Sequence, residues 1–219
     1  MSDRLASARS TPTASVVWAA VVALLAVFAV IAYQVVAHGK IAVDIQLLTW
    51  LHAHQAPALT SLARVLSHVG EPPVLGGITG VLVVALALRR RWGASALFAL
   101  QVGGAAALDL VLKAAFARPR PTAFPHLVHE SNFSFPSGHA VGGLAFFLAL
   151  HLLLQRMLPR AWRWVGWLGV ALAFAIGASR PYVQVHYPSD VLAGWALGAA
   201  WVVALQQLLA RRWLEDAPS

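Results

Sequence analysis

Six apolar segments, most of them close to the length of a membrane span, divide this chain of 219 residues. A helix needs about 20 apolar residues to cross the hydrocarbon core of a bilayer. Only 11% of the residues are charged, whereas soluble domains carry about 25%. We therefore predict an all-α integral membrane protein. The predicted spans are 15–36, 74–88, 93–116, 138–154, 165–178 and 191–210.

The segment between the first two spans, 39–70, is too polar to cross the bilayer. Apolar residues recur in it at helical spacing on both sides of Pro57, which predicts two short amphipathic helices lying in the membrane interface. They would cover the bundle or, alternatively, gate lipids. The predicted fold is one six-span helical bundle over 15–210, flanked by polar tails at 1–14 and 211–219.

The basic residues predict how the bundle is oriented. Alternating loops place ten of the 16 Lys and Arg residues on the side of both tails and six on the opposite side. Loops rich in Lys and Arg remain cytoplasmic, so both tails should be cytoplasmic and the loop 117–136 and the stretch 179–190 should face the exterior. This bias accounts for the net charge of +8 without nucleic acid, and we expect no nucleic-acid partner.

Three stretches on the exterior side combine charged, histidine and small residues: 113–121, 136–139 and 179–190. Ionisable groups are costly at a membrane boundary, so they indicate a functional site. Lys113, Arg120 and Arg180 provide three positive charges that suit an anion with several oxygens. Ser137 and Gly138 open a helix whose free N–H groups favour an anion, although Ser137 is equally a natural N-cap.

Two histidines in these stretches suit phosphoryl transfer, which needs one group to attack phosphorus and another to protonate the leaving oxygen. His139 and His186 are the candidates, and Asp190 could hold the Nδ1–H of His186. Asp109 lies one helical turn before Lys113, so we expect the two side chains to pair and Asp109 to support the site.

No metal or cofactor is expected in this site. The chain has no cysteine, and its eight acidic residues do not cluster near the three stretches. His52 and His54 have no further ligands nearby in the sequence, which argues against a metal there.

Other polar residues lie near the three stretches or within the spans. Arg118 could contact a phosphate or headgroup, or be solvated. We expect His126, His129 and Glu130 to lie in a solvated outer loop, with contact to a headgroup as the alternative. We expect His151 to be a hydrogen-bonded packing residue.

The patterns Lys-x6-Arg-Pro, Pro-Ser-Gly-His and Ser-Arg-x5-His-x3-Asp together resemble the three-part motif of the type 2 phosphatidic acid phosphatase superfamily, matching it at every defined position. The resemblance implies a bacterial integral-membrane lipid phosphatase similar to undecaprenyl-diphosphatases or phosphatidylglycerophosphatases. It implies that His186 becomes phosphorylated, that Asp190 orients it, and that His139 acts as general acid and then base. The residues it assigns to the phosphoryl oxygens are Lys113, Arg120, Ser137, Gly138 and Arg180.

The expected activity is metal-independent hydrolysis of a lipid phosphate or diphosphate at the outer face of the bacterial cytoplasmic membrane. Undecaprenyl diphosphate is favoured because it is released on that face; phosphatidylglycerophosphate and phosphatidic acid are alternatives. Transfer of the phosphoryl group to another lipid would use the same site. A non-enzymatic lipid transporter is the weaker alternative, because the ionisable groups lie at one face rather than at the bilayer midplane. The sequence does not specify an oligomeric state.

Overall fold

The structure, a computed structural model, describes residues 13–39 and 41–214, with side chains described up to residue 210. Most of the two predicted tails therefore lies outside the described residues, as do the side chains of Arg4, Arg9, Lys40, Arg211 and Arg212. Within the described residues the chain is all-α, which confirms the predicted fold class.

Eight α-helices form the described fold. They are α1 (Ala14–His38), α2 (Ala42–Ala53), α3 (Pro57–Val69), α4 (Pro72–Leu88), α5 (Trp92–Phe116), α6 (Gly138–Met157), α7 (Val165–Tyr182) and α8 (Pro188–Leu214). A single 3-10 turn at Arg160–Trp162 precedes α7. Prolines at the starts of α3, α4 and α8 suit the first turn of a helix, where an N–H has no helical partner.

Five of these helical segments are long and apolar enough to cross a membrane: α1, α5, α6, the segment Arg160–Tyr182 that contains α7, and α8. The remaining predicted span, 74–88, corresponds to α4, which has only 17 residues. It passes the same test together with α3, from which it is bent by 46°. The segment predicted to lie in the interface is thus helical, and its second helix forms a broken pair with the following span.

Helices α5, α6 and α8 surround the main apolar core, which includes Phe98, Val141 and Val202. Two glycines of α8 allow it to approach α6 closely. A Cβ at Gly198 would lie 2.7 Å from the carbonyl oxygen of Val141, and one at Gly194 would lie 2.9 Å from that of Ser137. This contact places the start of α6 beside the start of α8.

The short helices α2 and α3 pack against the end of α7 and the start of α8. The Tyr182 hydroxyl accepts a hydrogen bond from the backbone N–H of Ala56 at 3.1 Å and lies 3.2 Å from the hydroxyl of Thr60. Leu48 of α2 is fully buried, while Leu59 and Leu62 of α3 are exposed. The two helices therefore cover this end of the bundle with one face and present apolar side chains with the other.

The stretch 179–190 is more helical than expected. The fifth span was predicted to end at 178, but α7 continues to Tyr182 and α8 begins at Pro188. Arg180 therefore lies on the last turn of α7 and Asp190 on the first turn of α8. Only 183–187 connects them, and helix geometry fixes both charged groups.

Candidate active site

The three polar stretches meet at one end of the bundle, where four helix ends come together. Lys113 lies on the last turn of α5, and Ser137 is the N-cap of α6. The backbone N–H of Ser137 donates to the carbonyl of Asp190 at 3.1 Å, joining the starts of α6 and α8. The structure places all the candidate site residues around this junction. They are Asp109, Lys113, Arg120, Ser137, Gly138, His139, Arg180, His186 and Asp190.

Lys113 is held by its predicted partner. Its Nζ donates to Asp109 Oδ1 at 2.7 Å and to the carbonyl of Pro136 at 2.5 Å, which confirms the expected pairing. The start of α6 lies directly against this pair, because a Cβ at Gly138 would be 2.8 Å from Asp109 Oδ2. Glycine at this position therefore lets the buried carboxylate and ammonium approach the helix N-terminus.

Arg120 and Arg180 share one carboxylate, that of Glu130. Arg120 Nη2 donates to Glu130 Oε2 at 3.2 Å, and Arg180 Nη2 donates to Oε1. Arg120 also donates to the backbone carbonyls of Asn132 and Val185 at 2.6 and 2.8 Å. The expectation that Glu130 is simply solvated was wrong: its loop folds over the site, and two guanidinium groups attract its charge.

His186 is buried in the connector between α7 and α8. Burial lowers the pKa of its imidazole well below the ordinary value, and the positive charges of Arg120 and Arg180 lower it further, so the ring is neutral near pH 7. Arg120 Nη1 lies 3.1 Å from Nε2 of the ring. Because arginine is only a donor, this nitrogen presents a lone pair and Nδ1 carries the proton.

The carboxylate of Asp190 faces the protonated side of this ring. Asp190 Oδ2 lies 3.4 Å from His186 Nδ1, close enough for electrostatic attraction but outside hydrogen-bond geometry. The same oxygen accepts the backbone N–H of Tyr187 at 2.9 Å. The arrangement is that of a base or nucleophile backed by a buried carboxylate, with a looser contact than the sequence suggested.

His139 uses one ring nitrogen to contact α3. Its Nε2 lies 2.9 Å from the carbonyl oxygen of Ser67, so Nε2 carries a proton and Nδ1 is left for a substrate. The hydroxyl of Ser67 accepts a hydrogen bond from Arg180. Sequence reasoning missed Ser67, because an isolated serine on an amphipathic helix gives no indication of a buried role.

Ser137 occupies the N-cap position of α6 but makes no side-chain capping hydrogen bond. Its hydroxyl is buried and has no hydrogen-bond partner among the described residues. A buried polar group left unpaired costs stability, so such groups usually have a functional reason. This hydroxyl is therefore available to a ligand oxygen.

Arg118 differs from both of its predicted alternatives. It is 3% exposed and donates to the carboxylates of Asp190 and Asp44, so it is neither solvated nor directed towards a headgroup. Asp44 comes from α2. No local sequence pattern linked it to a residue 74 positions away.

Three other histidines make contacts that do not involve the site residues. His126 contacts the carbonyl of Pro121 at 2.7 Å, and His52 stacks on Phe124 with ring centroids 4.1 Å apart. The ring of His151 packs against that of Trp167 at a tilt of 50°, with centroids 4.3 Å apart. Its buried Nδ1 has no hydrogen-bond partner among the described residues, contrary to expectation. Among residues 13–39 and 41–214, no cluster of three or more His, Cys, Asp or Glu side chains could hold a metal ion.

The described helices thus form a membrane-type bundle with several cations and two histidines at one end, a cluster of groups suited to an anion with several oxygens. The chain belongs to the PAP2 superfamily, which residues 92–214 match. This membership confirms the resemblance found in the three sequence motifs.

Relatives extend the match beyond the motifs. The chain is 33% identical over 148 residues to phosphatidylglycerophosphatase B of Bacillus subtilis, covering 65% of this chain and 71% of that protein. It is 31% identical over 168 residues to an undecaprenyl-diphosphatase of Sulfolobus acidocaldarius, covering 74% and 76% of the two chains.

A solved structure gives the same picture of the fold. The crystal structure of a transmembrane PAP2 type phosphatidylglycerolphosphate phosphatase from Bacillus subtilis superposes with a TM-score of 0.80 at 26% identity. The superposition covers 88% of this chain and 96% of that one. The arrangement of the helices is therefore shared over nearly the whole length.

Proposed function

We propose that this lipid phosphatase hydrolyses a lipid phosphate or diphosphate through a phosphohistidine formed on His186. The observation that carries the proposal is the state of the His186 ring. It is neutral, its Nε2 lone pair faces Arg120, and its protonated Nδ1 faces Asp190. A neutral imidazole with a free lone pair is a nucleophile, and a carboxylate behind it stabilises the positive charge that develops on attack.

In the first step, Nε2 of His186 attacks phosphorus, and the bond from phosphorus to the leaving oxygen breaks. Lys113, Arg120 and Arg180 neutralise the charge that spreads over the other phosphoryl oxygens. Ser137 adds a hydroxyl donor, and the N-terminus of α6 at Gly138 adds backbone N–H groups. An in-line displacement requires the attacking nitrogen and the leaving oxygen to lie on opposite sides of phosphorus, with the cations beside the equatorial oxygens.

His139 acts on the leaving oxygen in this mechanism. Its Nδ1 is the ring nitrogen not engaged by Ser67. For this role the ring enters the step as an imidazolium, with one proton on Nε2 and a second on Nδ1, and Nδ1 gives its proton to the departing lipid oxygen or lipid phosphate. In the second step the same nitrogen takes a proton from water as that water attacks phosphorus. The phosphorus–nitrogen bond then breaks, inorganic phosphate leaves, and His186 returns to the neutral state.

The favoured substrate is undecaprenyl diphosphate, with phosphatidylglycerophosphate and phosphatidic acid as alternatives. The names of the two relatives described above support the first two candidates. All three lipids present a phosphate on an apolar tail, which suits a polar site at the end of a membrane bundle. The outward orientation inferred from the arginines favours the diphosphate.

We infer that residues 15–210 form one six-span phosphatase domain of a bacterial cytoplasmic membrane, with cytoplasmic tails at 1–14 and 211–219. The site then faces the periplasm or exterior. The run of arginines at 89–91, which connects α4 to α5, supports this orientation because such loops remain in the cytoplasm.

The test is phosphate release by the purified protein in detergent with EDTA, from a panel of the three lipids. We expect metal-independent release that is abolished in His186→Ala, with the panel identifying the preferred lipid. Product analysis by chromatography, with a second lipid alcohol added as acceptor, would detect phosphotransfer. Full activity of His186→Ala, or transfer without release of phosphate, would contradict the proposal.

A further inference from the structure

We propose that Asp44 and Arg118 are positioning residues for the phosphatase reaction, acting through Asp190. The three side chains form a buried network, the Asp44–Arg118–Asp190 network, which makes helix α2 part of the catalytic support. The inference rests on the proposed role of His186 as the nucleophile, since Asp190 lies behind that ring.

Arg118 bridges two carboxylates that are far apart in the sequence. Its Nη1 donates to Asp190 Oδ1 and to Ser189 Oγ, the latter at 2.9 Å. Its Nη2 donates to Asp44 Oδ2 at 3.0 Å. Asp44 and Asp190 are 2% and 0% exposed, so water does not replace these contacts.

Asp44 holds the first turn of α8 through its other contacts. Its Oδ1 accepts the backbone N–H of Ser189 at 2.8 Å, and its Oδ2 accepts the Ser189 hydroxyl at 2.5 Å. A carboxylate at the N-terminus of a helix is favoured by the helix dipole and by the free N–H groups there. Asp44 therefore fixes the backbone from which Asp190 projects.

The guanidinium group of Arg118 also lies over the ring of Tyr187, 4.0 Å from its centroid. Arg118 and Asp44 thus contact Tyr187, Ser189 and Asp190, three of the four residues that follow His186 in the chain. A displaced Asp190 would leave the protonated Nδ1 of His186 without its facing charge. Misplacement of a catalytic group by about 1 Å can reduce the rate by about 100-fold.

The charges in the network predict how its members depend on one another. Two buried carboxylates share one guanidinium group, and removal of that group leaves two unpaired negative charges close together. Removing Asp44 as well would relieve part of this repulsion. Loss of Arg118 should therefore be partly rescued by loss of Asp44, which is not expected of two independent stabilising contacts.

Arg120 provides a matched comparison, because only Pro119 separates it from Arg118. Arg120 contacts Nε2 of His186 and the carboxylate of Glu130, on the side of the ring proposed to attack phosphorus. Arg118 instead contacts the carboxylate of Asp190, which faces Nδ1 of His186. Substitution of Arg120 should therefore weaken phosphate binding, whereas substitution of Arg118 should slow the chemical step.

The experiment measures kcat, KM and inhibition by inorganic phosphate, beside the unfolding temperature in detergent. For Arg118→Gln we expect kcat to fall by about 10- to 100-fold, with KM and the phosphate inhibition constant within about threefold of the unmodified protein. Arg120→Gln should raise the phosphate inhibition constant. Arg64→Gln, at an exposed position on α3, is the control for loss of an arginine.

Rescue decides between positioning and general stabilisation. Adding Asp44→Asn to Arg118→Gln should raise kcat above that of Arg118→Gln alone. If Arg118→Gln does not fold, Asp44→Asn alone provides the test. This variant retains the Arg118–Asp190 contact and should fold, while its weakened hold on Ser189 should lower kcat with KM unchanged. Losses of kcat in the two single variants that simply add in the double variant would overturn the inference. So would a phosphate inhibition constant raised by Arg118→Gln as it is by Arg120→Gln.

The variant His186→Ala separates this inference from the proposed function. An inactive His186→Ala beside a fully active Arg118→Gln would overturn this inference alone, whereas an active His186→Ala would overturn the proposed function.

Discussion

The Nε2 atom of His186 lies 3.1 Å from Nη1 of Arg120. The contact determines which ring nitrogen carries the lone pair, since a guanidinium group can only donate. It also means that, without substrate, an arginine faces the atom proposed to attack phosphorus. A phosphoryl group must therefore enter between the two side chains, so that Arg120 exchanges His186 for a phosphoryl oxygen.

The first prediction concerns the pH dependence of the reaction. Burial and nearby cations lower the pKa of His186 well below the ordinary histidine value of about 6.5, so the ring stays neutral and nucleophilic even at pH values somewhat below 6.5. With an aryl phosphate, whose leaving group needs no proton, we expect kcat/KM to fall only at a pH below about 6.5 on the acid side of its pH profile. Arg120→Gln removes one positive neighbour, so the pKa of His186 should rise and this fall should move to higher pH. A fall unmoved by this substitution would contradict the assignment.

The second prediction concerns Glu130, whose two oxygens contact Arg120 and Arg180 where phosphoryl oxygens are proposed to bind. A phosphate must compete with this carboxylate. Because a partly exposed ion pair contributes up to about 1 kcal/mol, Glu130→Gln should tighten inhibition by inorganic phosphate by roughly fivefold. His129→Gln, at the neighbouring exposed position, should leave inhibition unchanged. Weaker inhibition in Glu130→Gln would mean that Glu130 orients the two arginines instead.

The third prediction compares two glycines of α6. A Cβ at Gly138 would lie 2.8 Å from Asp109 Oδ2 and 3.4 Å from Lys113 Nζ, whereas one at Gly142 would meet no atom within 4 Å. Gly138→Ala should displace the Asp109–Lys113 pair and reduce kcat/KM by about 100-fold. Gly142→Ala should keep full activity and stabilise the helix by roughly 0.5–1 kcal/mol. Equal activity of the two variants in a lipid hydrolysis assay would show that the close approach at Gly138 is not needed.

Much of this fold could be predicted from the sequence, because a membrane helix is defined by local composition. The predicted spans correspond to α1, α4, α5, α6, α7 and α8, with the end of α7 and the start of α8 reaching further into the polar stretch. The pair of Asp109 and Lys113 was predictable for the same reason, since both residues lie on one helix four positions apart.

The support of the site could not be predicted in this way. Arg118 meets Asp44 across 74 positions, and Arg180 meets Ser67 across 113. Neither contact follows from a periodicity, because each depends on how α2 and α3 fold back over the ends of α7 and α8. Glu130 was placed in a solvated loop for a similar reason, since nothing in its neighbourhood indicated that the loop turns towards two arginines.

The most direct measurement is to capture the covalent intermediate. The protein would be mixed with a lipid diphosphate labelled in its terminal phosphate, quenched within milliseconds in alkaline denaturant, digested and analysed by mass spectrometry. The account predicts an acid-labile, base-stable phosphoryl group on the peptide that contains His186, present in the unmodified protein and absent in His186→Ala. Label on the peptide that contains His139, or rapid hydrolysis without labelled protein under conditions that trap a phosphohistidine standard, would contradict it.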